Sequence, residues 1–166
     1  WNGGVGITQK VIDAYLMVDG RTYDNSSDEY PYKEDEMFSM GSKGFSGYVF
    51  TTQRMISGMY VNREPRFYAS IGFSCRFWPA LSCSKPEFRE FTASYDFNGN
   101  SGKYGSDGHQ SDNYPVTGYT LTKMIHSNDA VKEQGAIVYE KAFPVIRYAE
   151  TLLSYVEAAN HLTQNH

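Results

Sequence analysis

The chain has 166 residues, 40% apolar and 20% charged, which gives room for one core and does not describe a disordered tail. Its net charge of −4 leaves no surplus of Lys and Arg for phosphates, which argues against nucleic-acid binding. No run approaches the ~18 apolar residues that a transmembrane helix needs.

Aromatic content stands out, with 14 Tyr, 10 Phe and 2 Trp. Proteins that present aromatic surfaces on loops share this composition, and so do plain β-rich cores. The chain opens at Trp1 without a Met or leader and closes on the polar "TQNH". It reads as a processed product or an excised piece whose targeting segment is out of view.

"ITQKVIDAYLMVDG" predicts a short helix. Thr8 can cap it, Val11, Ile12, Tyr15 and Leu16 form one apolar stripe, and Gly20 ends it. An acidic stretch follows: Asp24, Asp28, Glu29, Glu34, Asp35 and Glu36, relieved only by Lys33. Clustered oxygens suit calcium, but the irregular spacing lacks a glycine-centred ligand rhythm, so this is expected to be a solvated loop. "GSKGFSGYVF" continues that loop, and "RMISGMY" leads to a charged corner. Asn25, before Ser26 and Ser27, fits a glycosylation acceptor, which has meaning only in a secretory eukaryote.

The stretch "NREPRFYASIGFSCRFW" spans residues 62–78. From Phe67 it alternates: Phe67, Ala69, Ile71, Phe73, Cys75 and Phe77 on one side, Tyr68, Ser70, Gly72, Ser74, Arg76 and Trp78 on the other. A period of two with one apolar face predicts a long half-buried strand, entered after Pro65. Cys75 and Cys83 are the only cysteines. They could close a small loop in an oxidising compartment, but the strand alternation already accounts for Cys75 as a buried thiol, and free thiols are expected. There are too few His and Cys at ligand spacing for a zinc site.

Residues 84–122 are loop-rich, with most of the turn chemistry in "YDFNGNSGKYGSDGHQSDNYPVTGYT". Asp96, Asn98, Asn100 and Asp107 resemble a calcium loop whose glycine is misplaced, and an ordinary polar loop is the better reading. No metal and no cofactor is expected. "FPVIRYAETLLSYVEAANHL" predicts a helix from Pro144 to Leu162. Val145, Ile146, Ala149, Leu152, Leu153, Val156 and Ala159 form its buried stripe, and Arg147 and Glu150 lie close enough to pair. So long a stripe needs a partner, and within the chain only the first helix and the strand could serve.

There is no nucleophile elbow, phosphate loop or HExxH. His109, His126, His161 and His166 are scattered, and chance carboxylate pairs are abundant among 19 acids. No catalytic residue is assigned.

Four segments now combine. "NREPRFYASIGF" resembles the Asn-Arg-Asp/Glu-Pro-Arg-Phe-Tyr signature of the SusD/RagB family of nutrient-uptake lipoproteins. "TGYTLTKMI", "FPVIRYAETLLSYVEAAN" and "ITQKVIDAYLMVDG" resemble three further family segments, with Ile7 where a Pro is usual, and all four occur in the family's order. The resemblance implies a lipid-anchored protein on the outer face of the outer membrane in Bacteroidota. It implies that such a protein binds oligosaccharides and caps a SusC-like TonB-dependent transporter. The implied fold is mainly α, with tetratricopeptide-type helix pairs supporting irregular loops and short β-strands, or α+β as a fragment. Residues 1–166 would form its C-terminal region, as a single domain or as part of a larger chain.

Arg63, Glu64, Arg66, Arg147 and Glu150 are carried over as structural signature residues. The alternative is that Arg63 and Arg66 grip carboxylates of an acidic nutrient. For a glycan surface, Trp78 is expected to face outward at the strand end, with Tyr95, Asn98, Tyr104, Asn113 and Tyr114 supplying stacking faces and hydrogen bonds. The alternative function is a scaffold that docks to the transporter and carries no ligand, with a glycosidase a distant third.

Overall fold

The computed structural model describes residues 6–39, 55–79, 82–105, 114–123, 125–129, 137–142 and 145–164. Among these residues there are three α-helices and short antiparallel strand pairs, an α+β arrangement. Helix α1 covers Gln9–Asp13, with Thr8 in extended geometry at the cap position. The Thr8 carbonyl accepts the Val11 amide at 3.0 Å, although its side chain caps nothing. The stripe is narrower than expected, since Ile12 is buried and Val11 is exposed. Gly20, at φ +83°, takes the left-handed turn after Met17, a conformation that glycine adopts freely.

The acidic stretch is not simply a loop. Lys33–Ser39 is strand β1, paired antiparallel with β2, Met55–Gly58, across an irregularity between Lys33 and Met37. Glu34, Asp35 and Glu36 remain exposed, so β1 is a solvated strand. Backbone pairing with Met55, Ile56 and Ser57 outweighs the charge of its side chains. The "GSKGFSGYVF" segment lies outside the described residues.

The long strand expected from Phe67 is replaced by three pieces. Pro65–Ser70 is helix α2, Ile71–Gly72 is β3 and Arg76–Pro79 is β4. Pro65 stands at the first helical position, where its missing N–H costs nothing and its φ suits a helix. The helix turns Phe67, Tyr68 and Ile71 to the core and leaves Ala69 exposed, against the alternation. Between β3 and β4 the chain reverses at Cys75, which has φ +66° and is therefore not on a strand face. Its amide bonds the Ala93 carbonyl at 2.7 Å. Cys75 is half-buried, Cys83 is buried, and both are free thiols.

β3 pairs with β6, Thr120–Leu121, and β4 pairs with β5, Glu90–Ala93. The core gathers Ile12, Ile56, Tyr60, Phe67, Tyr68, Ile71, Phe73 and Tyr119. Its centre is aromatic: Phe73 lies 4.4 Å from Tyr60 and 5.6 Å from Phe67, both near-parallel. Burying these rings is the main stabilising term for a structure with such short strands.

Helix α3, Tyr148–Gln164, starts four residues later than expected and does not bury its stripe. Val145, Ile146, Leu153 and Val156 are exposed at 86%, 73%, 70% and 62%. The local pattern makes the helix, but no described element lies over its apolar face. Among the described residues no helix is long and apolar enough to cross a membrane.

Candidate functional site

The charged corner encloses Arg63 almost completely, at 1% exposure. Its Nη2 donates to the Ile12 carbonyl, which also accepts the Tyr15 amide at 3.2 Å, and, at 2.9 Å, to the Tyr15 carbonyl, so it helps close the C-terminal end of α1. The guanidinium lies 5.2 Å from the Phe67 ring and 5.9 Å from that of Tyr32. Burial pulls its pKa below the ordinary value.

The backbone completes the clamp. The Glu64 amide donates to the Leu16 carbonyl at 2.9 Å and the Leu16 amide to Glu64 Oε1 at 3.1 Å. Tyr68 accepts the Arg63 amide at 3.1 Å and donates to the Tyr60 carbonyl at 2.7 Å. Arg66 is exposed and forks onto Glu64 through Nε and Nη2, at 2.8 and 3.1 Å. With Nη2 committed to two main-chain oxygens, and Nε buried without a hydrogen-bond partner among the described residues, Arg63 is occupied with structure. Arg147 and Glu150 are both exposed, and among the described residues they form no ion pair. Arg147 stands at the start of α3, where its carbonyl accepts the Glu150 and Thr151 amides at 2.9 and 3.3 Å while its side chain stays in solvent.

Trp78 does not face outward. It is 9% exposed, the Arg76 guanidinium lies 5.2 Å from its ring, and the backbone of Gly72 is packed closely enough that a Cβ there would sit 2.6 Å from Cζ2. Antiparallel pairing of Trp78 with Phe91 places this position within a two-stranded ladder rather than at a free strand end. A ring so covered offers no stacking face. Arg76 itself is buried, donates through Nη1 to the Ile71 carbonyl and to Thr122 Oγ1, and is pushed down by burial to about 10.

The exposed rings lie in the next loop. Phe97 and Tyr104 are 62% and 54% exposed, with centroids 4.7 Å apart in edge-to-face contact. Asn98 is exposed beside them. The Tyr104 amide donates to the Phe97 carbonyl at 3.1 Å, and the Ser101 amide donates to the Ser94 carbonyl at 2.9 Å. Asn100 ties the base: its Oδ1 accepts the Ser94 amide at 2.7 Å and its Nδ2 donates to the Thr92 carbonyl at 2.8 Å. The turn is so tight that a Cβ on Gly102 would sit 1.8 Å from the Asp96 carbonyl oxygen. These bonds hold two aromatic rings in water in a defined arrangement, which lowers the entropy cost of binding.

The other expected site residues are dispersed. Tyr95 is half-buried, with its hydroxyl bonded to Thr120 Oγ1 at 2.9 Å, and burial raises its pKa. Tyr114 is half-buried. Asn113 lies outside the described residues, as does Asp107 of the calcium-like spacing. Among the described residues no three of His, Cys, Asp and Glu gather as a metal site. Phe97 was not among the expected residues, although an aromatic between Asp96 and Asn98 in a turn-rich segment is a signal for a ring facing water.

The described residues thus form an α+β region with a loop that carries two exposed rings. The SusD family model matches residues 1–166, and the chain belongs to that family. Its members are outer-membrane-associated lipoproteins that bind glycans for nutrient uptake and work with a TonB-dependent transporter. No curated protein matches the chain.

Proposed function

We propose that this chain is part of a non-catalytic glycan-binding protein at the outer-membrane surface, passing oligosaccharides to a SusC-like TonB-dependent transporter. Membership of the SusD family supports the class, and the exposed Phe97–Tyr104 pair beside Asn98 supports a contact within these residues. Aromatic faces stack on the apolar faces of sugar rings while an amide bonds the hydroxyls, and neither step requires an acid–base pair. Tyr104 and Asn98 are retained from the expected surface and Phe97 is added, while Tyr95 and Tyr114 are half-buried. Residues 1–166 are then the C-terminal region of the family fold, with α3 packing on its tetratricopeptide-type helices.

The test is affinity electrophoresis and calorimetry of the full chain against plant, host and storage glycans. Binding to at least one glycan, weakened in Phe97→Ala and Tyr104→Ala by about 1–3 kcal/mol at unchanged melting temperature, is the expected result. A protein that binds a glycan with both variants at native affinity has its site elsewhere. A protein that binds no glycan but still binds the transporter is a docking scaffold.

A further inference from the structure

The ring-bearing loop carries one cation. Lys103 Nζ lies 5.5 Å from the Tyr104 ring centroid, next to the Phe97 contact. Among the described residues Lys103 has no carboxylate partner. Among the described residues of the loop the acid is Asp96, which is turned to its base, where its carboxylate accepts Ser94 Oγ at 2.9 Å and Ser74 Oγ at 3.3 Å. Among the described residues the ammonium therefore lies against the Tyr104 ring and not against a counter-ion.

We infer that this loop selects anionic saccharides, those bearing a uronate carboxylate or a sulfate ester, with Lys103 as the residue that reads the charge. The inference rests on the glycan-binding reading of the same loop. A sugar stacked on Phe97 or Tyr104 presents its ring substituents at the edge of the aromatic pair, where the ammonium can turn from the ring to an oxygen anion. An exposed cation–π contact is weaker than a hydrogen bond between an ammonium and an oxygen anion. The exchange therefore favours the anion. Asn98 is left to bond hydroxyls common to neutral and acidic sugars. The net charge of −4 provides no general attraction for anions, so an acidic preference has to be local.

The experiment compares matched ligands on the full chain. One pair is oligogalacturonate and its fully methyl-esterified form, and another is sulfated and unsulfated galactan oligosaccharides. The acidic member of at least one pair is expected to bind about tenfold more tightly, a gap that closes in Lys103→Gln and narrows at about 0.5 M salt. Lys103→Arg should keep the preference. Equal or tighter binding of the neutral members overturns the inference and leaves the glycan reading standing. An acidic preference that survives Lys103→Gln also overturns it, because the charge is then read elsewhere. Failure of all glycans, acidic and neutral, overturns both.

Discussion

Arg63 reaches across 51 positions of sequence to donate Nη2 to the main-chain carbonyl of Ile12, and the same nitrogen also serves Tyr15. One buried side chain thus closes the end of α1 and fixes α1 against α2. Arg63→Met keeps much of the volume but removes the donor to the Tyr15 carbonyl and leaves Ile12 with the Tyr15 amide alone. It should cost about 2–4 kcal/mol in chemical denaturation, with the loss of charge-assisted bonds partly offset by removing a buried charge. Arg63→Lys should recover little of this, since a single ammonium lacks the planar fork. A Met variant that unfolds at the native denaturant midpoint would mean that water serves those carbonyls equally well.

Asp129 provides a titratable contact away from the glycan loop. It is 2% exposed and accepts the amides of His126 and Tyr139, each at 2.9 Å, together with the Lys141 ammonium. Burial alone would raise its pKa, but Lys141 and the two amides outweigh burial and hold it below the ordinary 3.8. A carboxylate with a depressed folded pKa stabilises fully above the unfolded value and loses that contribution as pH falls through the folded value. The melting temperature should therefore fall below about pH 4, with Asp129→Asn already lower at neutral pH and flatter on the acid side. Parallel acid limbs for the two proteins would show that this staple does not contribute.

Trp78 separates a structural ring from a ligand-binding one. Buried between Arg76 and Gly72, it should behave as a core residue, and Trp78→Ala should cost about 3–5 kcal/mol in thermal or denaturant unfolding. Phe97→Ala, at 62% exposure, should leave stability nearly unchanged. The opposite ranking of the two variants would return Trp78 to the surface.

What could be read from the residues was the local vocabulary, and what could not was the choice between two periods satisfied by the same residues. Phe67 and Ile71 are two steps apart on one face of a strand and also four residues apart on a helix, so their spacing fits both. The decision came from Pro65 at the first helical position and from Tyr68, whose hydroxyl has buried backbone partners at Arg63 and Tyr60. Neither partner is implied by periodicity. Trp78 was misplaced because ladder pairing with Phe91, like the approach of Gly72, depends on a segment more than ten residues downstream or on a reversal at Cys75. Short motifs fared better where they acted locally: Thr8 stands at the start of α1 and Arg66 lies on Glu64, whereas α1 ends at Asp13 and not at Gly20, which takes a later turn. The loop of Phe97 and Tyr104 was recognisable as turn chemistry, but the meeting of its rings follows from the Tyr104-to-Phe97 backbone bond, which sequence does not announce.

Leu153 tests what α3 does. Its stripe has the composition of a buried face, yet Leu153 is 70% exposed and its neighbour Val156 62%. In the 166-residue chain on its own, Leu153→Ala removes a side chain that touches mostly water, so unfolding should change by no more than about 0.5 kcal/mol. If α3 packs on tetratricopeptide-type helices in the assembled protein, the same substitution there should cost about 2–5 kcal/mol, the range for a buried leucine. Hydrogen exchange gives an independent reading. The α3 amides should exchange quickly in the 166-residue chain and be protected by orders of magnitude once the helix layer covers them. Equal exchange in both settings, with Leu153→Ala neutral in each, would leave α3 a solvent-facing helix and remove it from the packing of the fold.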